Sequence, residues 1–194
     1  MTKKTTVLFI PGLGDDKIRG ENLAIRLLKP WGLDGEYFPI FWYKKDDFKL
    51  KLTELNKRIT ELNSEGRRVV LVGYSAGASA AINALSANKE KVSRIILICG
   101  KIQNLDKIND SYFKLNPKFG GSVELLKKSL PDLDAEQRAK VLSIRPIFDE
   151  TVPVKDTIIQ GAKNKRVFMV GHVPTIAYCL SLTIWRTAYW ARKK

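Results

Sequence analysis

Short runs of β-branched and aliphatic residues recur along this chain, with longer amphipathic stretches between them. The clearest are TVLFI at residues 6–10, RVVLVG at 68–73 and RIILIC at 94–99. A strand that is apolar at nearly every position has both faces buried, as in a parallel sheet covered by helices on both sides. A strand with one wet face alternates instead. The intervening stretches have helical spacing. Residues 21–29 (ENLAIRLLK) stop at Pro30, residues 46–63 repeat Phe48, Leu52, Leu55, Ile59 and Leu62, and residues 76–87 are small and apolar. Further strands are expected at 37–43 (YFPIFWY, near an edge because of Pro39), 141–148 and 166–170, with a short helix at 153–162 and a final helix at 174–190. Residues 101–139 break this rhythm. They are polar, contain Pro117, Gly120-Gly121 and Pro131, and read as an insert with one or two short helices. Alternating strands and helices predict an α/β fold: a mainly parallel sheet flanked by helices on both faces. The 194 residues suit one domain, 1–194, with one core and a lid-like insert at about 101–139.

In such sheets the functional loops lie beyond the carboxyl ends of the strands. After 68–73 the chain reads LVGYSAGASAA, which places Gly73, Ser75 and Gly77 as G-x-S-x-G between a buried strand and a helix. A serine on so tight a turn has its hydroxyl exposed above the sheet, and the turn has no room for side chains two positions to either side. The Ala76 N–H, at the helix start, then points towards a developing oxyanion. The glycine-rich IPGLGDD after 6–10 offers a second donor, the Leu13 N–H, with Gly12 and Gly14 letting the backbone approach a substrate. It matches neither the P-loop nor the dinucleotide-binding pattern.

His172 is the sole imidazole in the chain and stands just past the last expected strand, next to Gly171. Imidazole is the natural base for a serine hydroxyl. That base needs a carboxylate to fix its tautomer. Asp149 is the first acid beyond 141–148; Glu150 competes closely, and Asp156 and Asp106 are more distant alternatives.

Together these residues resemble the α/β-hydrolase superfamily. Ser75, Asp149 and His172 follow its chain order of nucleophile, acid and base. GYSAG matches its nucleophile elbow, DETVP (149–153) looks like its acid loop, and Gly171-His172 looks like its histidine loop. The likeness in element order covers nearly the whole chain. One departure is the first loop, where relatives usually begin with His-Gly and this chain has Pro11-Gly12. The resemblance implies a compact, carboxylesterase-like serine hydrolase that cleaves a small-molecule acyl ester through an acyl-enzyme. Leu13 and Ala76 would supply the oxyanion hole, with no metal or organic cofactor. The insert stands where the superfamily places its lid. Tyr112, Phe113, Phe119, Leu125 and Leu126 either line an acyl site or attach the insert to the domain. A non-catalytic binding protein of this fold, or a lipid or thioester hydrolase at a membrane surface, are the other readings.

Composition narrows the field further. Lys plus Arg total 34 against 20 Asp plus Glu, a formal charge of +14, but the basic residues are scattered and no nucleic-acid motif appears. The expectation is a generally cationic surface, no nucleic-acid partner and at most weak contact with an anionic membrane. Two cysteines and one histidine cannot build a disulfide framework or a His/Cys zinc site. No run reaches the roughly 18–20 apolar residues of a membrane span. The apolar run near the start is too short for a signal peptide. The expected setting is the cytoplasm, with free thiols. Residues 175–190 hold 11 apolar residues in 16, followed by Arg192, Lys193 and Lys194. This is expected to be the last helix packing on the sheet, with an interfacial anchor as the alternative.

Overall fold

The computed structural model describes residues 3–15 and 20–193. Six strands, β1 (Thr5–Ile10), β2 (Leu33–Tyr37), β3 (Arg68–Tyr74), β4 (Val92–Ile98), β5 (Val141–Arg145) and β6 (Lys163–Arg166), form one sheet. Their order is β2-β1-β3-β4-β5-β6, and every neighbouring pair is parallel. The helices are α1 (Glu21–Leu28), α2 (Phe48–Ser64), α3 (Gly77–Ala87), α4 (Asp110–Leu115), α5 (Pro117–Ser129), α6 (Ala135–Ala139), α7 (His172–Leu180) and α8 (Ile184–Arg192).

The apolar runs are the inner strands β1, β3 and β4. Because side chains alternate along a strand, each run supplies two cores. Leu8, Ile10, Val69, Leu71, Ile95 and Leu97 pack under α2, α3 and α5. Val7, Phe9, Val70, Val72, Ile96 and Ile98 pack under α1, α7 and α8. The doubly covered parallel sheet expected from the sequence is therefore present.

The elements that differ do so for identifiable reasons. The aromatic run 37–43 is not a strand; β2 is the less apolar LDGEY before it. The buried carboxylate of Asp15 accepts the backbone N–H groups of Ile40 (2.7 Å), Phe41 (2.5 Å) and Trp42 (3.2 Å), which an extended strand would have given to a neighbour. Burial pushes the Asp15 carboxyl above its ordinary value, and these N–H groups only partly offset that. Replacing Asp15 by Ala would leave three donors without an acceptor. At about 1 kcal/mol or more each, the expected loss is about 3 kcal/mol in urea unfolding; a loss under about 1 kcal/mol would mean the segment is held by its aromatic packing instead.

The insert forms three α-helices rather than one or two, and α5 lies against α3 as part of the domain's own helical layer. Its buried face is partly polar: Ser79 and Ser122 share a hydrogen bond of 2.7 Å, Asn83 donates to the Ser122 carbonyl (3.0 Å), and Ser129 donates to Asn83 Oδ1 (2.6 Å). At the other end of the sheet, 141–148 stops at Arg145 because Pro146 has no N–H for the ladder. The last strand is Lys163–Arg166, not 166–170; of that run, Val170 makes one isolated bridge to Phe148. Residues 153–162 give a single 3-10 turn, Val154–Thr157. The C-terminal helix is two helices, α7 and α8. They break at Ser181–Thr183, where hydroxyls cap the chain: Ser181 donates to the Ala177 carbonyl, and Thr183 donates to that of Tyr178 through both N–H (3.0 Å) and hydroxyl (3.2 Å). The α8 helix packs on the sheet, with the Trp190 indole donating to the Ile95 carbonyl (3.1 Å). Among the described residues, no helix is long and apolar enough to cross a membrane.

Candidate active site

At the carboxyl end of β3 the chain turns into α3 through Ser75, which sits in the left-handed region (φ 52°). The flanking glycines are required by close approach. A Cβ on Gly73 would lie 2.5 Å from the Gly77 carbonyl oxygen, and one on Gly77 would lie 2.1 Å from that of Ile10. The sheet therefore presses the turn against the β1 loop. That loop in turn touches the serine: a Cβ on Gly12 would meet Ser75 Cβ at 2.7 Å. The loop is pinned from behind by the Trp42 indole, which donates to the Pro11 carbonyl at 3.0 Å. Leu13 and Ala76 border the same cavity as Ser75, and among the described backbone hydrogen bonds neither of their N–H groups is a donor.

His172 opens α7. Gly171 before it has φ 94° and ties back by donating its N–H to the Phe148 carbonyl (2.9 Å), so the bridge between Phe148 and Val170 sets where the imidazole stands. The ring is buried and spans two partners. Nε2 lies 2.9 Å from Ser75 Oγ, and Nδ1 lies 2.8 Å from Asp149 Oδ2. Asp149 is itself fixed, since its Oδ1 accepts the N–H groups of Thr151 (2.9 Å) and Val152 (2.8 Å). Burial pushes the Asp149 carboxyl up. The hydrogen bond from His172 and those from Val152 and Thr151 outweigh it and hold the group below the usual carboxylate range.

The competing acids are engaged elsewhere. Glu150 accepts the backbone N–H of His172 with both oxygens (3.2 and 3.0 Å), capping α7 rather than touching the ring. Asp156 pairs with Lys101 (2.6 Å), and the exposed Asp106 pairs with Lys127 (2.6 Å). Of the four carboxylates read from the sequence, Asp149 is the one in contact with the imidazole.

Cys99, at the end of β4, was not singled out by its sequence context. It too is left-handed (φ 53°) and fully buried, and its thiol lies within 4.8 Å of an Asp149 carboxylate oxygen. Cys99, Asp149 and His172 offer atoms within 4.8 Å of one another that could ligate a metal. An ion there would have to take the Nδ1 that Asp149 holds and ionise a thiol that burial, with the Asp149 charge beside it, pushes well above its ordinary value. Both cysteines are free and buried.

Two cavities meet at Ser75. One, of about 450 Å³, runs past Leu13 and Ala76 under the segment from Asn104 to Tyr112. The other, of about 500 Å³, lies between the β1 loop and α7. Of the aromatic and leucine side chains noted in the insert, Tyr112 and Phe119 line the first cavity. Leu126 is in the core, and Phe113 and Leu125 pack against it.

No family model matches the chain, and no curated protein matches it in sequence. Solved structures do match it in shape. One of the metagenome-derived lipolytic enzymes LipS and LipT superposes with a TM-score of 0.74 at 11% identity, covering 99% of this chain and 95% of that one. The ydeN gene product of B. subtilis gives 0.69 at 15% identity over 98% and 100%, and the monoacylglycerol lipase of Paleococcus ferrophilus gives 0.67 at 13% over 97% and 96%. At these identities the likeness is one of architecture, and it spans 97–99% of the chain. The chain has the α/β-hydrolase fold.

Proposed function

We propose that this protein is a serine hydrolase that cleaves a small-molecule acyl ester through a Ser75–His172–Asp149 triad. The observation that carries this reading is the unbroken chain of contacts from Ser75 Oγ to His172 Nε2 (2.9 Å) and from Nδ1 to Asp149 (2.8 Å). It is supported by the left-handed turn that holds the serine and by the lipolytic enzymes and monoacylglycerol lipase among the structural neighbours. A hydrogen-bonded Asp149 carboxylate keeps the proton on Nδ1 and leaves Nε2 free to accept one.

Ser75 Oγ adds to the acyl carbonyl while its proton passes to Nε2, and the Leu13 and Ala76 N–H groups take the charge on the carbonyl oxygen. Collapse of the tetrahedral species breaks the ester bond. The alcohol leaves with the proton from Nε2, and the acyl group stays on Ser75. Water then adds to the acyl-enzyme, giving its proton to Nε2; the acid leaves and the proton returns to Ser75. This sequence calls for no metal or organic cofactor. The segment from Asn104 to Tyr112 acts as the lid-like part of the insert, roofing the first cavity.

A fluorophosphonate probe tests the reading directly, because an activated serine reacts with it and an ordinary one does not. The expected result is labelling of the folded protein at Ser75, located by mass spectrometry and abolished by denaturation. Absence of labelling on folded protein would leave the fold without this activity.

A further inference from the structure

The cavity of about 450 Å³ beside Ser75 has apolar walls and a cationic mouth. Leu13, Ile108, Phe119 and Val152 face it, and its acidic and basic lining residues are Lys101, Lys107, Lys155 and Asp156. The carboxylate is already engaged. Asp156 is buried, Lys101 Nζ lies 2.6 Å from Oδ2, and the Asn104 amide donates to Oδ1 at 2.6 Å. Those two bonds tie the start of the insert to the loop that follows Asp149, and residues of both segments line the cavity. Lys107 and Lys155 are exposed at the mouth, and no carboxylate among the described residues comes within 4.0 Å of either ammonium group. Three cations thus face one anion whose charge is neutralised locally. Low-dielectric walls concentrate such a field at the opening. A ligand that fits has an apolar stretch for the walls and a negative end for the lysines.

We propose that this cavity selects esters in which the half seated there ends in an anionic group, a carboxylate or a phosphate, held at the mouth by Lys107 and Lys155. The proposal rests on the serine-esterase reading for its chemistry but not for its binding, so the two are separable. Ser75→Ala full-length protein is titrated by calorimetry at low salt with octanoate, octyl phosphate and octanamide. The expected result is that the anions bind about tenfold more tightly than the neutral amide, as two partly exposed ion pairs allow, with a gap that narrows as salt is added. In Ser75→Ala carrying also Lys107→Gln and Lys155→Gln, the gap closes to within about twofold, and the relative affinity of octanoate and octyl phosphate tells which anion the mouth accommodates. Equal affinity for anions and amide overturns the proposal. So does an anion preference untouched by the two lysine replacements, since the overall charge of +14 would then account for it. In parallel, wild-type kcat/KM is compared for 4-nitrophenyl butyrate and the 4-nitrophenyl monoester of glutarate. Hydrolysis of the neutral ester with no anion preference in either assay refutes the anionic pocket alone. Intact anion binding with no hydrolysis of either ester refutes the hydrolase reading alone.

Discussion

With Ser75 as the proposed nucleophile, Ser75→Ala is expected to abolish ester turnover, lowering kcat by about ten-thousandfold to a millionfold, while the protein keeps an unchanged sheet. The size follows from removing the atom that bonds to the acyl carbon. What remains is the acceleration that oxyanion donors and binding give to a water attack, and the loss of one member of such a unit approaches the loss of all of it. The fold survives because the hydroxyl bonds to His172 and sits at the meeting of two cavities rather than in the core. A second replacement separates chemistry from structure. Ser75 is left-handed, a conformation that costs a residue with a Cβ about 1–2 kcal/mol and glycine almost nothing. Ser75→Gly should therefore be as inactive as Ser75→Ala yet at least as stable, as read by circular dichroism and urea unfolding. Residual hydrolysis within about tenfold of wild type in either variant removes Ser75 from the reaction.

How much of the fold and of the candidate site is legible in the sequence depends on whether a signal is local. The strands β1, β3 and β4 were legible because burial on both faces leaves an unbroken apolar run. The turn at Ser75 was legible because the approach of Ile10 and Gly77 permits only glycine at fixed positions. Ser75, Asp149 and His172 could be placed on separate loops, since a parallel sheet gathers its carboxyl ends on one rim. That their side chains lie in hydrogen-bond contact is a fact of the folded molecule.

What stayed hidden comes from partners distant in sequence. Nothing within 37–43 announces that Asp15 will take three of its N–H groups. The edge strand KNKR (Lys163–Arg166) has no apolar signature, because it pairs on one side only and its residues are mostly exposed. Lysines suit such an edge, since they discourage pairing with another chain. Its apolar neighbour, Phe168, is 94% exposed, so the hydrophobicity of 166–170 does not mark a buried strand. The α5 helix buries serines that find partners only on α3. Cys99 reads as the last residue of a buried strand, and only its position against Asp149 sets it apart.

In the proposed triad, Asp149→Asn is expected to lower kcat by about ten-thousandfold with modest change in KM, and the reason lies in how the carboxylate is held. Oδ1 accepts from Thr151 and Val152, so an asparagine there keeps its carbonyl oxygen on those N–H groups and turns its NH₂ towards His172 Nδ1. Facing a donor, Nδ1 must become the acceptor, and the imidazole proton moves to Nε2. That nitrogen faces Ser75 Oγ and can no longer take its proton. The substitution is nearly isosteric, so the defect is one of tautomer rather than of packing. Glu150→Gln is the contrast: it still offers an oxygen to the His172 N–H, and its turnover should stay within about tenfold of wild type. A mild Asp149→Asn and a severe Glu150→Gln would transfer the acid's role to Glu150. Acid unfolding supplies a second readout. Because the folded molecule holds the Asp149 carboxyl below its ordinary 3.8, it adds stability that is complete above that pH and is lost as pH falls towards the lower folded value. The asparagine variant lacks this titration, so its stability should fall less steeply than wild type as pH drops below about 4.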